Sequence, residues 1–360
     1  MRKVGIIIPD FIGGGAQKAA IAQANGLIDK GGFEVTLIAV SDVGIMKSFF
    51  KGETVEVLGC SRMLGAIVPV HRLLKNEKFD VLVTHLTYVN LIVIFCKLFS
   101  FSHTKLFVVE HCWVSDFLRL RSGWVGKVLC QGVRLLYPFA DKVIAVSDLV
   151  KDDLRSIMLW NPKKVRRLYF PLWDKAPIAS PEFPDVKGLN GCEFILGVGR
   201  LDVIKQFPLM IEAFSKCSSD LKLVIAGEGE ERKKIVELIV RKSLQSRVML
   251  VGFRQDLSSL FFHARALVIT SQSESLSNIV IEALYWGCPV VTVKCGGPEE
   301  LINSGGLGVV VNSLLPEEVA AAMESSSRDE INQTEVEKKI SPFQVEKSTA
   351  NFIKELISED

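Results

Sequence analysis

The chain has 360 residues, more than one compact core usually holds, so its length predicts two domains. Apolar residues make up 48% and charged residues 23%, and the net charge of +2 is too small to indicate a nucleic-acid partner.

The apolar run Lys3–Pro9 is too short for a signal peptide. The stretch Leu91–Phe101 is too short to cross a bilayer and predicts a buried helix. The eight cysteines form no Cys-x-x-Cys pair, which favours a reducing cytoplasm over a zinc site.

The first half of the chain alternates short apolar runs with segments of helical spacing. Helices are predicted over Ala16–Asp29 and from Ser147 or Asp148 onward. Buried strands are predicted at Val4–Pro9, Val35–Val40, Val55–Leu58, Asp80–Thr84, Lys105–Glu110 and Lys142–Ser147.

The alternation restarts after residues 171–192, which hold four prolines with little periodicity and are predicted to be a linker. Strands are predicted at Phe194–Val198, Leu221–Ala226, Val248–Val251, Leu267–Thr270, Pro289–Val293 and Gly308–Val311. Helices are predicted at Phe207–Cys217, Glu231–Lys242, from Ser277, and at Pro342–Ile357.

This alternation predicts an α/β fold with two Rossmann-like parallel-sheet domains, at residues 1–170 and 193–340. Ligands of open parallel sheets bind beyond the carboxyl ends of the strands. We therefore expect the two domains to face each other across a cleft that holds the functional residues.

The most informative pair of residues is Glu274 and Glu282. Glu274 follows a polar loop, and Glu282 is expected about two turns into the helix that begins near Ser277. At a rise of about 1.5 Å per residue the two carboxylates cannot both hold one small ion, but they can grip two parts of an elongated ligand. Ser277 and Asn278 mark a helix N-terminus, which favours anions. A ligand with a sugar, a diphosphate and a ribose fits this arrangement.

Arg200 and Lys205 lie in a loop between a predicted strand and a helix whose first turn contains Pro208. Two cations beside a helix N-terminus can clamp a diphosphate. A departing nucleoside diphosphate gains negative charge as its bond breaks, so such a clamp stabilises the transition state. The alternative is that both are surface cations on an exposed loop.

Several glycines and a histidine also follow predicted strands. Gly13, Gly14 and Gly15 lack the spacing of a dinucleotide fingerprint, and they either admit a ligand close to the backbone or form a tight turn. Gly296 and Gly297 offer amides to phosphate or sugar, or form a plain turn. His111, like His85 on the preceding strand, can hydrogen-bond a sugar hydroxyl or be an ordinary satisfied polar residue.

No Asp-x-Asp, His-Glu-x-x-His or Gly-x-Ser-x-Gly motif occurs, so the residues predict neither a metal site nor a serine nucleophile. Glu228 and Glu230, in a Gly-Glu-Gly-Glu turn, are interpreted as part of a strand-to-helix connection.

The order of these motifs resembles the retaining glycosyltransferases of family 4, which have the GT-B fold and use nucleotide sugars. The resemblance covers about residues 4–355. Its motifs are Gly13–Gln17, Tyr137–Ser147, Gly199–Arg200 with Lys205, Ala226–Glu231, Glu274–Glu282, Gly287–Val291 and Gly296–Glu300.

The resemblance implies a role for each candidate residue. Arg200 and Lys205 would bind the donor diphosphate, Glu282 the ribose, and Glu274 and His111 the transferred sugar. Ser277 and Asn278 would offer helix N-terminal amides to phosphate or sugar. The backbone near Gly252 and Phe253 would contact the base. Gly13, Gly14 and Gly15 would line the donor and acceptor site. Residues 341–360 would pack back on the first domain.

Three positions depart from the usual family pattern. Gln17 stands where an acidic residue is common, which weakens a catalytic role for position 17. Ser275 and Gln206 each stand where glycine is common, which affects loop conformation only.

The resulting prediction is a metal-independent transferase that moves a hexose or N-acetylhexosamine from a UDP-sugar to a saccharide, in surface polysaccharide or lipid-linked glycan synthesis. A nucleotide-sugar epimerase and a non-catalytic assembly scaffold are the alternatives. Between Trp113 and Phe170, the sequence has eleven Lys or Arg residues and only five acidic residues, all Asp. This excess predicts either peripheral contact with an anionic membrane, at its cytoplasmic face, or a solvated helix face.

Overall fold

The chain separates into two units. Unit 1 comprises Met1–Lys175 and Pro342–Asp360, and unit 2 comprises Ala176–Ser341. The computed structural model describes residues 1–76, 79–116, 124–172, 181–189, 191–218, 220–303 and 305–358.

Unit 1 is built on a parallel sheet. Its described residues contribute seven strands in the order β3-β2-β1-β4-β5-β6-β7. The strands are β1 (Arg2–Ile8), β2 (Phe33–Ala39), β3 (Thr54–Val57), β4 (Val81–His85), β5 (Lys105–Glu110), β6 (Lys142–Ala145) and β7 (Val165–Arg167). The central strands β1, β4 and β5 are nearly continuous runs of buried apolar residues, as expected for a sheet covered on both faces.

Helices connect these strands. They are α1 (Gly15–Lys30), α2 (Ile67–Asn76), α3 (Thr87–Ser100), α4 (Trp124–Leu136), α5 (Asp148–Ile157) and the last helix of the chain, α13 (Val345–Ile357). The start of α5 is set by Ser147, whose hydroxyl accepts a hydrogen bond from the N–H of Val150 at 3.2 Å.

The last helix, α13, belongs to unit 1. It packs on α1 where Gly26 lies against Thr349 so closely that a Cβ on Gly26 would have no room. The Lys142 ammonium, on β6, donates to the Glu355 carboxylate at 2.9 Å, and Ser348 donates to the carbonyl of Tyr169 at 2.5 Å. These contacts fix the helix to the amino-terminal part of the sequence.

Unit 2 repeats the architecture with six described parallel strands in the order β10-β9-β8-β11-β12-β13. They are β8 (Phe194–Val198), β9 (Lys222–Ala226), β10 (Val248–Gly252), β11 (Ala266–Ile269), β12 (Val290–Val293) and β13 (Gly308–Val311). The helices are α6 (Phe207–Phe214), α7 (Arg232–Arg241), α8 (Ser258–His263), α9 (Asn278–Tyr285), α10 (Gly297–Ile302), α11 (Pro316–Ser325) and α12 (Gln333–Ile340).

The prediction of two Rossmann-like parallel sheets is confirmed, with helix α5 starting at Asp148 and α9 at Asn278. The predicted helix Phe207–Cys217 was too long, because the N–H groups of Lys216 and Cys217 bond three residues back and close the last turn tightly. Residues 173–180 and 190 of the predicted linker lie outside the described residues, as do Arg119 and Arg121 of the basic segment.

The prediction of a buried helix at Leu91–Phe101 is correct for one side of the helix only. The segment lies in α3, whose buried face includes Val93 and Ile94, but Phe95 and Phe99 are exposed. A helix laid on the surface of a sheet buries one side only, so its outer face meets solvent. Among the described residues, no helix combines the length and the apolar character needed to span a bilayer.

Candidate active site

The loops after β8 and β11 meet the conditions for a binding site in unit 2. All strands of this sheet are parallel, so the loops that follow them leave the same edge. β8 lies between β9 and β11, and the chain order reverses there, which makes β8 and β11 the topological switch point of the sheet. Ligands of open α/β sheets bind beside such a point.

The loop after β8 carries two cationic residues, and the Asp202 carboxylate in the same loop bonds to both. Asp202 accepts from Arg200 Nε at 2.7 Å and from the backbone N–H of Lys205 at 3.1 Å. The Arg200 side chain is nevertheless 72% exposed. The Thr270 hydroxyl donates to the carbonyl of Gln206 at 3.0 Å and thereby fastens this loop to the end of β11. Arg200 therefore presents much of its guanidinium to solvent from a fixed loop.

Lys205 and Glu274 form an ion pair across the switch point. Lys205 Nζ lies 2.5 Å from Glu274 Oε1, which also accepts from the Ser271 hydroxyl at 2.8 Å. The exposed fractions of the two side chains are 26% and 11%. A pair that is largely withdrawn from water interacts more strongly than a surface pair, and loss of either partner leaves the other charge unpaired.

Ser277, Asn278 and Glu282 are brought to the same edge by α9. Ser277 has a left-handed backbone, with φ of 68°, and the helix begins only at the next residue. Glu282 is therefore the fifth residue of α9, one turn and not two from its start. Its side chain is partly buried.

Gly296 and Gly297 lie beside Glu274, but their N–H groups are already used. Glu274 donates its N–H to the carbonyl of Cys295 at 2.9 Å, and its own carbonyl accepts from Gly297 at 2.8 Å. The Glu299 carboxylate accepts from Gly296 at 2.8 Å. A Cβ on Gly297 would lie 2.5 Å from the backbone of Leu276. The close approach of two loops accounts for this glycine, without open amides for a ligand.

The end of β10 contributes Gly252 and Phe253. Gly252 has a φ of 71°, and its carbonyl accepts from the N–H of Gly227 at 2.8 Å. The Phe253 side chain is 75% exposed at this corner. An exposed aromatic ring at the carboxyl edge of a sheet can stack on a planar base.

In unit 1 the glycine loop follows β1 at the corresponding edge. Gly13 has a φ of 102°, which favours glycine, and Gly14 and Gly15 lead into α1. The Asp10 carboxylate accepts from Gln17 Nε2 at 2.9 Å and from the N–H of Ile12 at 3.0 Å. Gln17 is buried and holds the carboxylate that shapes the loop, so this side chain has a structural partner.

His111 follows β5 and lies on a buried polar network. Its Nε2 is 2.9 Å from Nδ1 of His85, the last residue of β4. Burial lowers the pKa of His111 to about 4, and burial together with the neighbouring His111 lowers the pKa of His85 well below its usual range. Both imidazoles are therefore neutral at physiological pH.

The neighbouring Glu110 is fully buried and hydrogen-bonded. Its carboxylate accepts from the Tyr137 hydroxyl at 2.6 Å, from the Thr87 hydroxyl at 3.0 Å and from the N–H of Cys112 at 2.9 Å. Asn90 donates to the Tyr137 oxygen at 3.0 Å. Burial raises the pKa of Glu110, and these hydrogen bonds act in the opposite direction.

The described residues include no candidate metal cluster, and two cysteines of unit 2 are deeply buried. No group of three or more His, Cys, Asp or Glu residues there could hold a metal ion. Burial raises the pKa of the Cys288 and Cys295 thiols to about 12, so both stay protonated.

Two family models together span both units. Residues 13–170 match "Glycosyltransferase Family 4" and residues 180–341 match "Glycosyl transferases group 1". The chain belongs to glycosyltransferase family 4. The resemblance of the sequence motifs to this family is thereby confirmed.

Known proteins resemble this chain in sequence and in fold. The chain is 28% identical over 322 residues to the Campylobacter jejuni N-acetylgalactosamine-N,N'-diacetylbacillosaminyl-diphospho-undecaprenol 4-alpha-N-acetylgalactosaminyltransferase, with 86% of each chain covered. It is 27% identical to a second C. jejuni enzyme, GalNAc-alpha-(1->4)-GalNAc-alpha-(1->3)-diNAcBac-PP-undecaprenol alpha-1,4-N-acetyl-D-galactosaminyltransferase, with 86% of this chain and 85% of that one covered. Anabaena HepE, solved with UDP and glucose, superimposes with a TM-score of 0.80 at 19% identity, covering 99% of each chain.

This family 4 glycosyltransferase thus distributes its predicted site residues over two sheet edges. Unit 1 carries His111 and the glycine loop, and unit 2 carries the remaining candidates. Sequence reasoning missed Asp202, Ser271 and Glu299, the three groups that hold the charged loops in place. Asp202 carried a usable signal, because it lies two residues after Arg200 and three before Lys205. Ser271 and Glu299 gave none, since their contacts depend on how the loops fold.

Proposed function

We propose that this glycosyltransferase is a retaining enzyme that transfers a hexose or N-acetylhexosamine from a UDP-sugar to a saccharide acceptor carried on a lipid diphosphate. The observation that carries the proposal is the Lys205–Glu274 pair at the switch point of unit 2, with the exposed Arg200 on the same loop. The cations fit a diphosphate and the carboxylate fits sugar hydroxyls.

The cations act on the leaving group. When the bond between the sugar C1 and the diphosphate oxygen breaks, the electron pair stays on the diphosphate, whose negative charge rises. Lys205 and Arg200, each held by a carboxylate, stabilise that charge with little reorganisation. Glu274 and Asp202 hold the two cations by hydrogen bonds within unit 2.

The remaining residues of unit 2 hold the rest of the donor. Glu282 accepts from the ribose hydroxyls, and the start of α9 at Ser277 and Asn278 faces phosphate or sugar. Glu274 Oε1 is occupied by Lys205 and Ser271, so its other oxygen is the one proposed to meet a sugar hydroxyl. The backbone at Gly252 and the ring of Phe253 receive the base. UDP is proposed because the Ser-Leu-Ser-Asn stretch after Glu274 resembles members that use UDP-linked sugars.

The stereochemical part of the proposal has a direct test. Attack of the acceptor hydroxyl on the face from which the diphosphate leaves keeps the anomeric configuration of the donor. A ¹H NMR spectrum of freshly formed product, read through the coupling of its anomeric proton, should show the configuration of the donor. The opposite anomer would refute the retaining assignment.

The acceptor class is proposed from the relatives. Both C. jejuni transferases are named for acceptors on an undecaprenyl diphosphate. An acceptor of this class places the reaction at a membrane surface.

Unit 1 offers a surface suited to such a membrane. Helices α3 and α4 pack side by side and expose Phe95, Phe99, Trp124 and Val128, with the cation Lys127 on α4. Aromatic side chains interleaved with cations suit an anionic lipid surface. We expect sedimentation with phosphatidylglycerol vesicles at low salt and release at high salt. Trp124→Ala should weaken it and Val236→Ala, an exposed site in unit 2, should not. Absence of binding at low salt would end the membrane part of the proposal.

The first experiment for the whole proposal is a thermal-shift screen with UDP, GDP, ADP and CMP, each with magnesium and with EDTA. A ligand that binds only the folded state raises the melting temperature. A shift with UDP that persists in EDTA supports a metal-independent UDP-sugar site. A shift with another nucleotide alone replaces the donor, and no shift at all favours a non-catalytic scaffold. Release of an epimerised sugar product from the nucleotide sugar without any acceptor would favour the epimerase.

A further inference from the structure

Two histidines meet at adjacent strand ends in unit 1. His85 ends β4, and His111 follows β5, its parallel neighbour. The rings stack with centroids 5.2 Å apart and planes inclined by 30°. Phe170 contacts both rings, at centroid distances of 5.5 and 5.8 Å. The packing therefore fixes the orientation of both imidazoles.

The contact between the two rings joins Nδ1 of His85 to Nε2 of His111 at 2.9 Å. One of these nitrogens donates and the other accepts, since two neutral imidazoles can form a hydrogen bond in no other way. Neutrality follows from burial, which depresses the pKa of both rings. The titratable neighbours of His111 along the chain are Glu110 and Cys112, and Tyr137 bonds to Glu110. The Glu110 carboxylate bonds to Tyr137, Thr87 and the backbone.

The burial of His85 decides the direction of the bond. His85 is fully buried, and its other nitrogen, Nε2, has no partner among the described residues. If His85 accepted at Nδ1, its proton would sit on Nε2 as a buried N–H without an acceptor. Orphaned buried N–H groups are rare in proteins because they are costly. The arrangement that avoids one places the His85 proton on Nδ1, where it is donated to His111.

We infer that His85 is a positioning residue that fixes His111 as the Nδ1–H tautomer and so makes its Nδ1 a hydrogen-bond donor. His111 Nδ1 is not among the buried unpaired atoms of the described chain, and the ring is partly exposed. The proposal rests on the proposed function and on the contact of His111 with the transferred sugar that the family resemblance implies. It adds that His111 donates its Nδ1–H in a hydrogen bond to an oxygen of the sugar. The bond from His85 keeps His111 from presenting a lone pair at Nδ1 instead.

Nuclear magnetic resonance tests the tautomer directly. The protein contains five histidines, so labelling with ¹⁵N-histidine gives few signals in a long-range ¹⁵N–¹H correlation spectrum. His85→Asn and His111→Gln identify the two resonances. The expected result is a proton on Nδ1 of both rings at pH 7. A proton on Nε2 of His111 would overturn the inference.

Kinetics test the consequence. His85→Phe keeps a planar ring but removes the donor, and we expect kcat to fall about tenfold or more with donor KM changed less, the size of one lost hydrogen bond. His85→Asn restores an amide N–H near the position of Nδ1 and should return kcat to within about threefold of the native value. A folded His85→Phe variant with native kcat would overturn the proposal, as would a His85→Asn variant as slow as His85→Phe.

The two levels of the proposal can fail separately. If His111→Ala leaves turnover unchanged while the spectrum shows the inferred tautomer, the role of His111 in the proposed function is wrong and the His85–His111 bond stands. If His111→Ala abolishes turnover while the spectrum shows Nε2–H, the site stands and the positioning role of His85 fails. The spectrum is informative even where a kinetic variant is unstable, because it is recorded on the native chain.

Discussion

The carboxyl edges of the two sheets differ in the charge and the burial of their polar side chains. In unit 2 the edge keeps its charges, and Lys205, Glu274, Arg200 and Asp202 form ion pairs that remain partly open to solvent. In unit 1 the two edge histidines are neutral, because burial depresses their pKa values, and the buried Glu110 is enclosed by hydrogen bonds. The same strand topology thus supports ion pairs at the edge of one unit and a buried hydrogen-bonded network with neutral histidines at the edge of the other.

The charged edge should be the more sensitive in catalysis. Lys205→Ala removes the partly buried cation of the clamp, and we expect kcat to fall about 100- to 1,000-fold, as for loss of one transition-state donor. Initial rates with saturating donor measure it. Lys216→Ala is the matched control, since Lys216 forms only an exposed pair with Glu317 at 2.8 Å. Comparable rates for the two variants would contradict the clamp.

The buried network of unit 1 should be the more sensitive in stability. Tyr137→Phe deprives the buried Glu110 carboxylate of its shortest hydrogen bond and Asn90 of an acceptor, and we expect a loss of about 2 kcal/mol in the free energy of unfolding. Urea denaturation measures it. A double-mutant cycle with Glu110→Gln isolates the Tyr137–Glu110 interaction, and a coupling energy near zero would show that the bond contributes nothing.

Within unit 2 the ribose contact should act on binding more than on turnover. Glu282→Ala is expected to raise the donor KM about tenfold with a much smaller change in kcat, because the ribose is remote from the bond that breaks. Steady-state kinetics with varied donor separate the two constants. A fall in kcat without a change in KM would move Glu282 into the reacting centre.

The effect expected to be smallest at neutral pH, and to grow on acidification, is a pH dependence of stability that arises in unit 1. The folded pKa of His111 is about 4, below its unfolded value, so the unfolded chain binds more protons between these values. The free energy of unfolding should therefore fall by up to about 1.4 kcal/mol per pH unit as pH drops from 6.5 toward 4. His85 acts in the same direction and Glu110 in the opposite one, since its folded pKa is raised. His111→Gln should flatten the profile measured by urea denaturation.

The sequence predicted the elements and the edge on which the site residues lie, because buried β-branched runs mark strands and parallel strands end together. Arg200, Lys205 and Glu274 were found in this way. The pairing within the edge was not predictable, since it depends on left-handed turns at Gln206 and Ser277 that the usual residue preferences disfavour. The bond between His85 and His111 depends in turn on the register of β4 and β5.

The membership of α13 in unit 1 has a consequence for biosynthesis. The ribosome delivers the whole of unit 2 before it delivers Val345–Ile357, although that helix packs on α1, one of the first segments made. Until then Gly26 lacks its Thr349 neighbour and Lys142 lacks Glu355. Unit 2 can thus complete its core before unit 1 does. Until α13 is made, the face of α1 that it covers stays exposed on the nascent chain, where chaperones can bind it.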